Sequence, residues 1–271
     1  MGHIPDSPMG KMYGEHINFI LTKNVQGLLN QYTDDCVLIS TLNDDKQKPL
    51  YVRGKKELEA FFRSRIFSLE KMDIDLTQWA EDKNVLMMVE HIKTTGTDGK
   101  HSEVHFYDNW WLRDGKIAIH FAGTVRYPDG VYADQMAHKG EPPDTPLGRL
   151  YHEHIQFILA KNVEGVVNQY APDALQIATL TPDRSPRFIR GREEIRAFQT
   201  ANFMGLKSLT SKIDQWAEIK NGLMIVESIH FWGVDGSEAD MSFYDNWVLN
   251  DKGQIIMHYA GVIRYPDGTY A

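Results

Sequence analysis

The sequence predicts an α+β fold built twice in tandem, and three observations predict it. The first is an internal duplication. Residues 12–42 and 150–180 are identical at 18 of 31 positions. The offset of 138 falls to 137 for QWAE (78–81 and 215–218) and FYDNW (106–110 and 243–247). It returns to 138 for HFAGTVRYPDG at 120–130 against HYAGVIRYPDG at 258–268. A period this long is a duplicated domain, not a solenoid repeat. The second is the order of periodicities within each copy: helical spacing first, long strands after, which is the α+β pattern of a curved antiparallel sheet wrapped over helices. The third is Ala133–Leu147, whose Gly140-Glu141-Pro142-Pro143-Asp144-Thr145-Pro146 run has the composition of a linker. The domains expected are 9–132 and 148–271, with 133–147 between them.

Each element follows from local pattern. In the first copy Ile17, Ile20, Leu21, Val25, Leu28, Leu29 and Tyr32 recur at helical spacing, as two helices meeting near Lys23-Asn24. A short strand, Val37–Thr41, and a polar loop, Asn43–Pro49, come next. Tyr51-Val52-Arg53-Gly54 leads into an amphipathic helix, Lys55–Phe67. Four strands close the copy, over 75–81, 84–96, 101–113 and 116–127. Thr97-Asp98-Gly99 and Asp114-Gly115 are their hairpin turns, and Asp235-Gly236 and Asp251-Lys252-Gly253 serve the second copy. Met1–Pro8 reads as an unstructured lead-in, and the repeated RYPDG tail as a strand end with a turn.

Composition narrows the function. A net charge of -8 with a pI near 5.8 and no basic stretch argues against nucleic acid or an anionic membrane surface. There is no run of apolar residues long enough to span a bilayer and no signal peptide. A single cysteine, Cys36, sits in an apolar strand opposite Ala174 of the other copy. It reads as a buried small hydrophobe in a reducing, cytoplasmic setting. No cofactor and no metal are expected.

Strand parity selects candidate chemistry. Val104, Phe106, Asp108, Trp110 and Leu112 share a face, as do Met241, Phe243, Asp245, Trp247 and Leu249. A carboxylate among apolar side chains is costly unless paired or used. His120 and His258, five residues after the turn glycine, are expected on the same face. His16 and His154 lie on the first helix beside Phe19, Ile20 and Lys23 and their counterparts. One aspartate and two histidines per copy are thus shared. Val89, His91 and Lys93 are expected to face the same interior, against Val226, Ser228 and His230 in the second copy. Glu90 and Glu227 fall on the opposite parity with Tyr107, Asn109 and Trp111, a face expected to form an interface. His101 and His105 read as solvated hairpin residues.

The helix–helix–strand start with its Tyr-x-x-Asp join (Tyr32 to Asp35, Tyr170 to Asp173), the strand–Arg-Gly–helix step and FYDNWWLRDGKIAIH resemble the nuclear transport factor 2-like superfamily. The similarity is greatest to its SnoaL-like and ketosteroid isomerase-like members. The resemblance implies cone-shaped α+β barrels packed as an internal pseudo-dimer, with homo-oligomers beyond it as a further possibility. It matches His16 to the isomerases' oxyanion-binding tyrosine and Asp108 to their protonated aspartic acid. Tyr32 and Tyr170 match a tyrosine that supports that site. The isomerases' general-base aspartate would fall at Ser40 or Thr41, and at Ala178 or Thr179, and is missing. The acid of the SnoaL-like cyclases would fall at Ala122 and Ala260 and is also missing. The remaining His–Asp–His set looks like that of scytalone dehydratase.

The function these readings support is a cofactor-independent lyase or isomerase acting on a small apolar, aromatic or polyketide-like substrate. The catalytic set expected is His16, Asp108 and His120 with His154, Asp245 and His258. Tyr32, His91, Lys93, Phe106 and Trp110, with Tyr170, Ser228, His230, Phe243 and Trp247, are expected to bind substrate. Histidine moves protons near neutral pH and a buried aspartate fixes its tautomer. The alternatives are a non-catalytic small-molecule binding protein, or an epoxide hydrolase, which would need a second inward acid. For the His–Asp–His residues themselves a structural hydrogen bond and a metal site are the competing readings.

Overall fold

The computed structural model describes residues 4–43, 45–46, 48–136 and 140–271. It divides into two compact units, Met1–Tyr132 and Ala133–Ala271, each with its own sheet and core.

In the first unit α1 (Pro8–Leu21) and α2 (Val25–Asn30) precede β1 (Tyr32–Ser40) and β2 (Leu50–Arg53). Then come α3 (Gly54–Phe61), a π-helical turn (Phe62–Ile66), and the long strands β3 (Leu69–Asp82), β4 (Val85–Gly96), β5 (His101–Arg113) and β6 (Lys116–Arg126). The sheet order is β2-β1-β6-β5-β4-β3. All neighbours are antiparallel except β1 and β6. The second unit repeats this with α4 (Pro146–Leu159), α5 (Val163–Asn168), β7 (Tyr170–Ala178), β8 (Arg187–Arg190), α6 (Gly191–Gly205), β9 (Leu206–Ile219), β10 (Gly222–Gly233), β11 (Glu238–Leu249) and β12 (Ile255–Arg264), in the order β8-β7-β12-β11-β10-β9.

Local chemistry explains the boundaries. The lead-in expectation changes at Ser7. Its hydroxyl accepts from Gly10 N at 2.9 Å and donates to Glu81 at 2.7 Å, and Pro8 takes the first helical turn. Such a cap stabilises a helix by about 1 kcal/mol. Thr145, Pro146 and Glu218 repeat it. The break between α1 and α2 falls where expected, with Lys23 in the left-handed region (φ 55°) and Asn24 capping Gly27 N at 2.9 Å. Gly54 opens α3 at φ 68°, a conformation that glycine adopts without strain, and the Arg53 N–H donates back to Glu57 at 2.7 Å.

The expected helix over Lys55–Phe67 ends as α-helix at Phe61 and continues as the π turn. β3 starts at Leu69 rather than 75: Met72, Ile74 and Leu76 alternate with the exposed Asp73 and Asp75, a period-two pattern that extends the strand backward. Residues 44 and 47 of the polar loop, and 137–139 of the linker segment, lie outside the described residues. The beginning of that segment is structured: Ala133–Gln135 forms a short 3-10 helix. Ala133 is buried, and Asp134 accepts from Arg264 Nε at 2.7 Å. No described helix is long and apolar enough to cross a membrane.

The core of each unit sits between the helices and the concave sheet face, around the fully buried Trp110 or Trp247. Cys36 is buried there, and burial pushes its thiol up to about 11, the character of a structural hydrophobe.

Candidate functional site

In the first unit the helices and concave sheet face enclose a cavity of about 550 Å³. Its walls are Ile17 and Ile20 of α1, Leu38 of β1, Phe61 and Phe62, and Ile92, Val104 and Phe106 of the sheet. The polar groups lining it include Tyr13, His16, Glu90, Asp108 and His120, with Lys46, Arg65 and Asp129 as further charged residues. Tyr13, His16, Ile17 and Ile20 recur at the spacing of one helical face.

His16 is buried, and its tautomer is fixed from behind. Gln31 Nε2 donates to Met12 O at 2.9 Å, which turns Gln31 Oε1 toward the ring to accept from His16 Nδ1 at 2.8 Å. The proton on Nδ1 leaves Nε2 with its lone pair, and Nε2 has no hydrogen-bond partner among the described residues. Burial, then the neighbouring His120, lowers the His16 pKa to about 4, so the imidazole is neutral at pH 7. His154 repeats this, donating to Gln169 Oε1 at 2.7 Å with a pKa lowered to about 4 by burial and His258.

His120 is held from both sides. The Tyr32 hydroxyl donates to Nδ1 at 2.9 Å, and Nε2 stands 3.1 Å from Asp108 Oδ1. In the second unit Tyr170 donates to His258 Nδ1 at 2.6 Å, and Nε2 donates to Asp245 Oδ1 at 2.8 Å. The second contact meets hydrogen-bond geometry; the first is close but off line. Burial raises both tyrosine pKa values well above normal, so each hydroxyl keeps the proton it donates.

The largest departure from expectation is on β4 and β10. His91 and Lys93, with Val89, do not face the cavity, and neither do Ser228 and His230 with Val226. Glu90 and Glu227, expected on the outer face, point inward instead. The register explains it. The turn Thr97-Asp98-Gly99 is closed by Gly96 N bonding Lys100 O, an odd-numbered connection that pairs even residues with even: Glu90 with Phe106, Met88 with Asp108. Facing residues share a side, and a one-residue slip exchanges the faces. In the second unit Glu227 pairs with Phe243 and Ile225 with Asp245. Ser228 instead donates to Asp214 at 2.6 Å, and His230 donates to Asp240 at 2.8 Å. Lys93 lines a separate open cleft.

His120 reaches the cavity face by a device that parity alone does not reveal. The two-residue Asp114-Gly115 turn would place it outward. A bulge, with Leu112 opposite Ile117 but Trp111 opposite Ile119, restores the inward face. Among the residues expected to bind substrate, Phe106 lines the cavity and Phe243 occupies the matching place. Trp110 and Trp247 are fully buried core residues, the first packing at 5.0 Å on His16. Tyr32 and Tyr170 lie behind their histidines rather than on the cavity wall.

Glu90, Tyr13 and Gln31, with Glu227, Tyr151 and Gln169, are the polar groups that sequence reasoning missed. Each is kept in both copies, and Tyr13 lies one helical turn before His16; that was the available signal. Tyr13 donates to Glu90 Oε1. Tyr151 and Ser211 donate to Glu227 Oε2 at 2.5 and 2.6 Å, and the Glu227 and Asp245 carboxyls are hydrogen-bonded to each other. Burial first, then the adjacent aspartate, raises both glutamates. Glu90 rises well above the carboxylate range and Glu227 to about 8, so each holds a proton at pH 7. Asp245 rises to about 6, chiefly by burial.

A neutral imidazole and a protonated carboxyl thus stand in one apolar cone, the arrangement of a small-molecule site. Residues 14–120 match the family model of the SnoaL-like domain. The match falls within the first unit, and the second unit repeats that unit element by element. No curated protein matches the chain.

Similar solved structures include a ketosteroid isomerase from Mycobacterium sp. (19% identity, 43% of this chain and 92% of that one, TM-score 0.37). A Mycobacterium tuberculosis protein in complex with estradiol-17beta-hemisuccinate is 18% identical over 43% of this chain and 93% of that one, TM-score 0.37. The epoxide hydrolase/cyclase-like enzyme SalBIII of salinomycin pyran ring formation is 11% identical over 42% of this chain and 88% of that one, TM-score 0.36.

Proposed function

We propose that each cone carries out cofactor-independent acid–base chemistry on a small, largely apolar substrate, as an elimination or an isomerisation. His16 and His154 abstract a proton through Nε2. Glu90 and Glu227 return one to the leaving group or to the rearranged carbon. Asp108 and Asp245, each tied to a histidine and tyrosine behind it, charge-balance the site and orient substrate. The observation that carries this reading is the pairing of a neutral histidine, with an open Nε2, and a neutral carboxylic acid facing the same apolar walls. Opposed pKa shifts within one pocket are the signature of assigned acid and base roles.

Relative to the expectation from sequence, the acid is a glutamate on β4 and β10 rather than the second histidine, which takes a hydrogen bond from a tyrosine at Nδ1 and turns Nε2 toward the aspartate. Proton abstraction next to a carbonyl is common to both reaction types, so exchange in deuterium oxide tests it without knowing the product. A panel of aromatic and polyketide-like ketones followed by NMR is expected to show enzyme-dependent deuterium uptake. The His16→Ala/His154→Ala variant should lose about 10²–10⁴-fold of it. Undiminished exchange in that variant would remove histidine as the base.

The inward Glu90 and Glu227 also supply the second acid that an epoxide hydrolase needs, which favours that as the second reading. Epoxide opening in ¹⁸O-labelled water would label a diol product; elimination and isomerisation would not.

A further inference from the structure

The face of β4 and β5 turned away from the cone carries a second cluster that the proposed chemistry does not use. His91 and His105 are directly opposite each other across the strands, their rings 4.2 Å apart. Glu103, two residues before His105, lies on the same side of the sheet. His91 Nε2 stands 2.8 Å and His105 Nε2 3.9 Å from one oxygen, Glu103 Oε1. All three donor atoms lie within 4.8 Å of one another.

We propose that His91, Glu103 and His105 form a divalent transition-metal site, of the two-histidine, one-carboxylate type, on the outer face of the first unit. Metal–ligand bonds of about 2.0–2.2 Å meeting at octahedral or tetrahedral angles hold donor atoms about 3.0–3.4 Å apart. The observed separations from Glu103 Oε1 straddle that range, so side-chain rotation alone closes the set. The ligand types suit zinc, cobalt, nickel or iron(II) rather than calcium or magnesium, and three protein ligands leave positions for water.

Two observations support the assignment. The side chains of His91, Glu103 and His105 are 26, 45 and 21% exposed, sheltered but open to an ion. The two imidazoles also face each other with their rings 4.2 Å apart, so both can turn a nitrogen toward the Glu103 carboxylate. Arg126 Nη1, 3.5 Å from Glu103, and Lys93 are opposing charges beside the carboxylate, and Arg126 also orients it. Glu103 and Arg126 border an open cleft of about 920 Å³, which gives water and small anions access.

The second copy supplies the control. The positions of His91, Glu103 and His105 are Ser228, Asp240 and Ser242 there, so serine at both histidine sites is compatible with the fold. Titration of the full chain with zinc by calorimetry, and with cobalt(II) by visible absorption, is expected to show one strong site per chain. His91→Ser/His105→Ser should weaken it at least 100-fold, and Glu103→Gln at least 10-fold, with circular dichroism unchanged. Absence of a one-equivalent site in the unaltered protein, or its retention in the double variant, would overturn the proposal.

Discussion

Glu227→Gln tests the buried acid directly. Glutamine reproduces the protonated carboxyl: its oxygen accepts from Tyr151 and Ser211 and its amide donates to Asp245. What it removes is the titration. In the unfolded chain the carboxyl ionises near its ordinary value of 4.5; in the fold it is held protonated to about 8. Between those values the native state binds one more proton than the unfolded state, so folding stability falls as pH rises, by up to about 1.4 kcal/mol per pH unit.

From pH 6.5 to 8.0 the Glu227 contribution to the loss integrates to about 1.6 kcal/mol, the slope flattening as the folded pKa is approached. Every other titrating group is common to both proteins and cancels in their difference. Urea unfolding at pH 6.5, 7.25 and 8.0, summed over all transitions, is therefore expected to show the variant gaining about 1.6 kcal/mol on the unaltered protein across the window. A difference that stays constant with pH would mean that Glu227 is ionised in the fold. It could then not serve as the general acid, and the proposed division of roles would fall.

The acid side of the profile has the opposite cause. His16, His154 and His258 are held neutral to about 4, 4 and 3, while unfolded histidine protonates near 6.5, so stability should fall as pH drops below 6.5. His16→Asn/His154→Asn should make that decline shallower by about 1.2 kcal/mol per pH unit for each histidine removed, read by denaturant titration between pH 4.5 and 6. Tyr170→Phe removes the donor to His258 Nδ1 without changing shape. It should cost about 1–3 kcal/mol, and it should move the pH profile of deuterium exchange, which a purely structural role would leave in place.

Much of the fold was legible because the chain carries an internal comparison. The duplicated helix pair, the Arg-Gly step and the Asp-Gly turns each have a local cause: a capping side chain, a positive φ or a two-residue hairpin. The Asp108–His120 approach was legible for the same reason, since an acid in an apolar strand and a histidine near a turn recur together. The face of β4 was not. Val85-Leu86-Met87-Met88-Val89 is apolar on both sides, so no alternation marks the inward residues. The face is set instead by the odd-numbered Gly96–Lys100 connection. That is a tertiary choice of register, and it moved Glu90 in and His91 and Lys93 out. Gln31 was hidden for another reason: its role is to fix the tautomer of a residue 15 positions away, which no spacing rule encodes.

The two cones hold the same chain of groups, yet they are not equal. In each, a tyrosine donates to a histidine that faces an aspartate, and a glutamate beside that aspartate takes a hydrogen bond from a helix tyrosine. At the far end Ser211 donates to Glu227, where the first unit has Ile74, so the ionised form of Glu227 has a donor that Glu90 lacks. The His258–Asp245 bond is also shorter than the His120–Asp108 approach, 2.8 against 3.1 Å. A buried polar network of this size is a costly way to join a helix to a sheet, and apolar side chains of similar volume do that at least as well. The chain nevertheless holds the His–Gln pair and the Tyr–His–Asp–Glu–Tyr sequence in both halves, while neighbouring apolar positions such as Leu28 and Val166 differ freely. A purely structural role predicts the reverse, with the polar members drifting first. The retained network therefore favours the proposed acid–base role in both units over a purely structural one, and the Ile74/Ser211 difference is where their acids should part in strength.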